Sequence, residues 1–527
     1  MNVEVLLELK IKNLDKTFTY HVPDYLKEKI KIGKRVLAPF GNQKLEGFIL
    51  KINNEEITYD LKDIIDVIDE DVILNEELLE IGKYISKKTL CTLISCYQTM
   101  LPKALKAQNK TKINKRYVTY LKLNEIPKNI KSEKQKQILD LLKDGKKLKT
   151  ECIKISPSSV KTLLQNNVIH EIKEEEYRLQ EETVLKTNKI KLSQEQQNVV
   201  DEVLKTKNKF VPYLLHGVTG SGKTEVYMTI IEDIIKSKNV IVLVPEISLT
   251  PQFIEKFQNR FGNKIAILHS ALSDGERYDE WRKIKKNKVN IVIGARSAVF
   301  APVKNLGLVI IDEEHSQTYK QENNPKYNAI DVALFRAKKN NCPIVLGSAT
   351  PSIESYTRAK TNVYKLLELK TRVNASLPIV KLVDMKEEIK SGNRVLSNIL
   401  IEKINERINK NEQVILLLNR RGYTTIATCK NCGYVHNCPN CDIPLIYHKS
   451  SNTMRCHYCG YGDKKLENCP ICKSKDIIDY GMGTEKLEQI VNETFKNVKT
   501  LRMDIDTTSK KGSHKKLIDL FKSGEYN

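Results

Sequence analysis

Apolar and polar positions alternate with the period of strands through the amino-terminal segment. The runs VEVLLELKI, RVLAPFG and EGFILKI are punctuated by Gly33, Gly41 and Gly47, which read as turn residues. They predict a small β-rich domain over residues 1–105. A Lys-rich stretch, Lys103–Lys115, reads as a linker. From Ser132 the spacing turns helical. SEKQKQILDLLKDG ends on Gly145, KLKTECIKI follows, and SPSSVKTLLQNN opens with Ser156 as cap and Pro157 as first helical residue. VIHEIKEEEYRL then reads as a short hairpin, so residues 106–188 are predicted to hold the linker and a winged-helix domain.

Beyond Leu192 short apolar runs alternate with helical segments. The runs YLLHG, VIVLVP, KIAILH, VNIVIG, LGLVIIDE and PIVLGS end in turn residues and predict a buried parallel sheet within a lobe spanning 189–375. A second set, IVKLVDM, QVILLLN and TLRMD, predicts another lobe over 376–527, interrupted by a cysteine-rich insertion at 425–481. The fold class is α/β, with tandem lobes behind a β-rich domain.

Charge and cysteine content change this picture in two ways. The formal net charge of +23 invites a polyanionic partner, although much of it is a lysine bias that a whole proteome can share. Of twelve cysteines, eight are packed into Cys429–Cys472 as CxxC pairs, which favours metal over disulfides in a chain without a secretion signal. The amino terminus lacks a signal peptide's basic start and cleavage site, and no run of eighteen apolar residues occurs. The expectation is a cytoplasmic protein with no membrane partner.

GVTGSGKT (Gly217, Val218, Thr219, Gly220, Ser221, Gly222, Lys223, Thr224) fits GxxxxGK[ST], following a strand and opening a helix. Backbone N–H groups would cradle phosphates, Lys223 would neutralise β/γ oxygens and Thr224 would ligate Mg²⁺. LGLVIIDEEH supplies the second half. Asp312 is placed to hold Mg²⁺ and Glu313 to polarise the attacking water. LSQEQ (Leu192–Gln196) precedes the loop as an adenine-reading motif would, with Gln196 as the contact. VPEISLTP (Val244–Pro251), His269–Ser270 and GARSAVFAP (Gly294–Pro302), with Arg296, resemble nucleic-acid-contacting segments. GSATPS (Gly347–Ser352) resembles the motif that links ATP to the DNA path. ATP and Mg²⁺ are the implied cofactors.

Cys429, Cys432, Cys438, Cys441, Cys456, Cys459, Cys469 and Cys472 form four CxxC pairs, enough for two closed, structural Cys₄ zinc sites. Three pairings are possible from spacing, and His436, His448 and His457 find no vacancy.

Taken together, these residues resemble the primosomal protein N′ (PriA) family of replication-restart helicases. The most specific matches are the eight-cysteine insertion, LLLNRRGY (Leu416–Tyr423) before it, GMGTE (Gly481–Glu485) after it, and LRMD (Leu501–Asp504). The resemblance implies tandem RecA-like helicase lobes, the second incomplete, with a 3′-DNA-end-binding domain, a winged helix and the two-zinc insertion. TFTY (Thr17–Tyr20) and PFG (Pro39–Gly41) match the family's pocket for a DNA 3′ end, implying that Phe18, Gly41 and Lys62 line it. It implies ATP-dependent 3′→5′ unwinding, recognition of stalled forks and single-stranded DNA, and contacts with primosome proteins, the replicative helicase loader and single-strand-binding protein. Outer and inner cysteine pairs would form separate zinc sites, 429/432 with 469/472 and 438/441 with 456/459.

The chain departs from the family at Thr19, where an acid is usual. It departs again in TYKQ (Thr318–Gln321) and PKYNAI (Pro325–Ile330), which keep Tyr319 and Tyr327 as DNA contacts but replace a His and two Args. The last residues, Phe521–Asn527, fall before the strand expected to carry motif V; motif VI and its ATP-contacting arginines are expected beyond them. Arginine fingers are worth ~10³–10⁵ in turnover. These 527 residues alone are therefore expected to bind nucleotide and hydrolyse it poorly. The alternative reading is a catalytically deficient, zinc-stapled DNA-binding fragment.

Overall fold

The computed structural model describes the chain apart from residues 55–59, 108–112, 126–131, 180–189, 246–250, 374–377, 391, 393–394, 419–424, 449–452, 457, 481–483, 497 and 509–512. Two compact units divide it, Met1–Ser376 and Leu377–Asn527. The segments VPEISLTP, LLLNRRGY and GMGTE lie largely outside the described residues.

Five strands open the first unit: β1 (Asn2–Leu7), β2 (Thr17–His21), β3 (Arg35–Phe40), β4 (Gln43–Asn53) and β5 (Asp66–Val67), in the antiparallel order β2-β1-β4-β3-β5. A bridge from His21 to Asp63 joins the β2 edge to the segment leading into β5, and the sheet curls around Val3, Val5, Tyr20, Val36 and Ile49. Gly33 and Gly41 have φ of +84° and +57°, as turns require. Gly47 is not a turn. It lies within β4 opposite Leu7 and Val36, where an added Cβ would stand 2.6 Å from the Leu6 carbonyl oxygen.

Helices α1 (Glu76–Thr89) and α2 (Leu93–Met100) bury Leu78, Ile81, Ile85 and Tyr97 in a core shared with the following lobe. The shared core is locked by Arg336, fully buried, which donates from Nε and Nη2 to Glu77 at 2.9 and 2.8 Å and from Nη1 to the Ala301 carbonyl. The expected linker is partly core as well, since Leu105 and Ala107 are buried.

Next come β6 (Arg116–Leu123), α3 (Glu133–Lys143), β7 (Lys147–Leu148), α4 (Lys149–Ile155), α5 (Pro157–Gln165) and β8 (Ile169–Glu176). Ser156 caps α5 by accepting the Ser159 N–H, with Pro157 at its first turn. The expected hairpin at VIHEIKEEEYRL is instead the single strand β8. It has no turn residue to fold it back, and it pairs along its whole length with β6.

The lobe that follows contains α6 (Gln194–Leu204), β9 (Pro212–Gly217), α7 (Lys223–Ile234), β10 (Asn239–Leu243), α8 (Pro251–Phe261), β11 (Ile265–Leu268), α9 (Asp274–Lys285), β12 (Ile291–Gly294), β13 (Leu306–Ile311), α10 (Ala329–Lys339), β14 (Ile344–Ser348), α11 (Ile353–Lys360) and β15 (Lys365–Leu369). Its parallel sheet runs β11-β12-β10-β13-β14-β9-β15. Ile241 and Leu243 enter one core and Val240 and Val242 the other, so both faces are covered and the strands read as unbroken apolar runs. The six expected strands are present, and β15 is added at the edge.

The second unit holds α12 (Met385–Lys390), α13 (Asn398–Asn409), β16 (Thr425–Cys429), β17 (Ile446–His448), β18 (Thr453–Arg455), β19 (Gly462–Lys464), β20 (Ile477–Tyr480), α14 (Thr484–Thr494), α15 (Ile505–Thr508) and α16 (Ser513–Lys522). The strands expected at IVKLVDM, QVILLLN and TLRMD are not formed among the described residues. Leu382 is 97% and Leu417 91% exposed. A strand exists only through a neighbour's amides and carbonyls. Here Val414 donates its N–H to Asn527 rather than to a parallel partner strand. No helix among the described residues is long and apolar enough to cross a membrane.

Candidate nucleotide site and metal centres

The phosphate loop leaves β9 and enters α7 with Gly220 and Gly222 at φ +82° and +80°, a left-handed path that turns successive N–H groups toward one concavity. Gly222 is the N-cap of α7, so Lys223 and Thr224 stand in its first turn. The Lys223 ammonium folds back onto the Gly217 carbonyl at 2.7 Å, and the Ser221 hydroxyl is buried without a partner among the described residues. Val218 donates to the Leu369 carbonyl and Val373 to the Gly220 carbonyl, so the end of β15 and the segment after it brace the loop. Gln196 is 5% exposed. Its amide nitrogen donates to the Ser221 carbonyl at 2.8 Å, and its oxygen accepts the Ser193 N–H in a capping box. Both polar ends are thus occupied, and Gln196 ties the start of α6 to the loop.

Asp312 ends β13. Burial and the adjacent Glu313 charge push its carboxyl above the usual range, and the Tyr227 hydroxyl opposes this by donating to Oδ1 at 3.1 Å. Glu313 follows at φ +46°, a strained backbone for a residue with a Cβ. Glu314 is buried and accepts from the Ser352 N–H, the Ser352 hydroxyl and the Ser355 hydroxyl at 2.7, 3.0 and 2.8 Å. His315 Nδ1 lies 2.8 Å from the Ser348 hydroxyl. The acidic box and GSATPS are therefore one hydrogen-bonded body. Sequence reasoning missed Tyr227, Glu314 and Arg372. Tyr227 lies one helical turn beyond Lys223, and Glu314 follows the two acids given roles, so spacing could have found both. Arg372, whose side chain runs past Gly220, carried no local signal.

The residues read as DNA contacts fall into two groups. On the barrel, Phe18 meets Phe40 edge-on at 5.1 Å beside Gly41, where an added Cβ would find open space. The Lys62 carbonyl accepts the His21 N–H on the same strand as Phe18. In the lobe the picture differs from the expectation. Tyr319 is 1% exposed, its hydroxyl bonded to the carbonyls of Asp312 (2.6 Å) and Leu243 (3.1 Å). Tyr327 is buried against Phe300. Arg296 donates to the carbonyls of Thr318 and Lys320 and stands 6.0 Å from the Tyr327 ring. Burying two large rings under the loop stabilises it, at the cost of their access to a passing strand.

In the second unit the eight sulfurs gather into two sets, Cys429/Cys432/Cys469/Cys472 and Cys438/Cys441/Cys456/Cys459, the outer and inner pairs implied by the resemblance. Within each set the ligand atoms lie within 4.8 Å of one another. Every pair sits on the same knuckle. The N–H of the residue after the second cysteine donates to the first cysteine's carbonyl, and that residue (Gly433, Asp442, Gly460 or Lys473) is left-handed. The N–H of Tyr461 draws Cys459 down to about 6, while burial and its sulfur neighbours push Cys441 up to about 12. Four thiolates cannot share such a space without a cation, and the donor set fits Zn²⁺ in two closed Cys₄ sites. His436 lies 3.2 Å from Asp463 and stands outside both sets.

Two outcomes are expected. Zinc analysis should give two ions per chain, falling to one in the Cys429→Ser/Cys472→Ser double variant and to none in Cys429→Ser/Cys438→Ser; the reverse order would refute the pairing. At Gly347 an added Cβ would fall 1.7 Å from the Tyr227 hydroxyl oxygen. Gly347→Ala should cost about 1–3 kcal/mol by denaturant unfolding, and clearly less in a Tyr227→Phe background. Equal costs in both backgrounds would remove Tyr227 from the contact.

Family models for the 3′DNA-binding domain (3′BD) of PriA, the DEAD/DEAH box helicase and the PriA DNA helicase Cys-rich region match residues 4–102, 193–359 and 438–463. The replication restart protein PriA of Bacillus subtilis is 40% identical, covering 99% of this chain and 75% of the relative. That of Chlamydia trachomatis is 35% identical, covering 97% and 71%. With a sheet, phosphate loop and double cysteine cluster to match, the chain belongs to the PriA family of replication restart DNA helicases.

Proposed function

We propose that the chain binds ATP·Mg²⁺ at Gly217–Thr224 and uses it to move along DNA 3′→5′ at stalled forks. Asp312 holds the metal and Glu313 polarises the attacking water. The barrel, with Phe18, Gly41 and Lys62, takes the 3′ end of a nascent strand, and the domain limits are those read from the sequence. Tyr319, Tyr327 and Arg296 act on DNA indirectly, as struts between the DNA-facing loop and the acidic box. The family implies contacts with primosome proteins, a replicative helicase loader and single-strand-binding protein, in the cytoplasm.

The observation that carries this reading is the single hydrogen-bonded body formed by the acidic box and GSATPS beside the phosphate loop. Bases at a loop's edge and phosphates in a basic groove give affinity without sequence preference, which suits a fork enzyme. The test has two parts. A fluorescent ATP analogue should bind in Mg²⁺ and be lost in Lys223→Ala. A forked DNA with a free 3′ hydroxyl should bind more tightly than one with a blocked 3′ end, and Phe18→Ala should remove that difference. Equal binding of the two forks would sink the 3′-end assignment, and analogue binding unaffected by Lys223→Ala would sink the nucleotide site.

A further inference from the structure

Away from the phosphate loop, the first unit has an open-mouthed cavity of about 780 Å³. Its wall is contributed by the barrel, by β6 and the residues before it, and by α9. Arg35 and Lys115 are neutralised there by Asp69 at 2.7 Å and Glu70 at 2.6 Å. Arg282 is likewise paired with Asp279 at 2.6 Å and with Glu175, and Lys286 with Glu175 at 2.6 Å, which leaves Lys285 and Lys304 less closely matched. Lys285 faces Asp71 at 3.7 Å and lies over the Trp281 ring, 5.2 Å from its centroid. The Lys304 ammonium has no partner among the described residues, its carbonyl alone accepting from Asn239 Nδ2 at 2.7 Å.

Two deeply buried lining side chains also carry N–H groups without an acceptor among the described residues. They are Trp281 Nε1 and Arg282 Nε, on residues 5% and 4% exposed. Buried donors in native proteins nearly always meet an acceptor. An exposed aromatic face completes the lining, because Tyr117 is 55% exposed beside Lys115. Two weakly matched lysines beside an open ring suit a ligand with anionic oxygens and a flat π-face.

We propose that this cavity binds one nucleotide unit of a single DNA strand. Its base stacks on Tyr117, and its phosphate oxygens are taken by Lys285 and Lys304. The inference rests on the DNA-helicase reading and adds a strand contact outside the barrel and the acidic-box loop. An acidic peptide would satisfy the cations but leave the Tyr117 face unused.

Trp281 is the only tryptophan in the chain, so its emission reports on this cavity alone. The whole chain, saturated with Mg·ADP to fill the phosphate loop, is titrated with the 5′-phosphorylated dinucleotide pTpT, with inorganic phosphate and with an acidic hexapeptide. The expected result is a saturable change with pTpT, with half-saturation raised at least about fivefold by Tyr117→Ala, the lower end of base stacking. Lys304→Ala should weaken the same response. No saturable change, an equal response to phosphate alone, a response confined to the peptide, or indifference to Tyr117→Ala would each overturn the proposal. Fork binding is measured in parallel by fluorescence anisotropy. If forks bind while Trp281 stays silent, the cavity proposal fails and the helicase reading stands; if neither responds, both fail.

Discussion

Asp312 and Glu314 stand two residues apart where β13 ends, Glu314 buried and Asp312 half-buried with its carboxyl pushed above the usual range by desolvation. A buried carboxylate is tolerated only where hydrogen bonds replace its hydration. Those bonds come from different elements. Asp312 is met by Tyr227 from the helix that follows the phosphate loop, and Glu314 by Ser352 and Ser355 from the start of α11. Satisfying two charges at one strand end therefore ties the nucleotide loop, the acidic box and GSATPS together. Tyr319 closes the underside by bonding the Asp312 carbonyl. A shift at any of these elements changes the partners of a buried charge, which is what a coupling element between two ligands needs.

The zinc-binding module solves a different problem with sulfur. Its apolar cluster is small, built on Ala427, Leu445 and Met454 with Cys438 and Cys456. A core of that size does not hold five short strands by burial alone, and metal–thiolate bonds contribute the folding energy instead. The repeated left-handed residue after each pair shows how strictly the knuckle is specified, since Asp442 and Lys473 accept a conformation that glycine takes freely.

How much of this was legible depended on the range of the interaction. The phosphate loop, the acidic box, the Ser156 cap and the cysteine pairs are local patterns, and each is found where the sequence put it. The six strands of the ATP-binding lobe were legible because burial on both faces leaves a continuous apolar run. What escaped was set by partners far along the chain. VIHEIKEEEYRL is one strand because RYVTYLKL lies beside it, and Gly47 is dictated by the Leu6 backbone rather than by a turn. Tyr319 and Tyr327 were expected as DNA contacts only through the resemblance to the family's aromatic-rich loop, and no local pattern signals that their rings fill space inside the fold. IVKLVDM and QVILLLN have strand composition, but composition does not supply the neighbouring strand.

Glu314 is the carboxylate through which the acidic box holds the GSATPS segment. Affinity for a fluorescent ATP analogue, measured with and without forked DNA, tests this link most directly. The native chain should bind the analogue with a DNA-dependent affinity. Glu314→Gln should abolish that dependence while leaving affinity without DNA unchanged, and Ser352→Ala added to it should do nothing more. An undiminished DNA effect in Glu314→Gln would contradict the account.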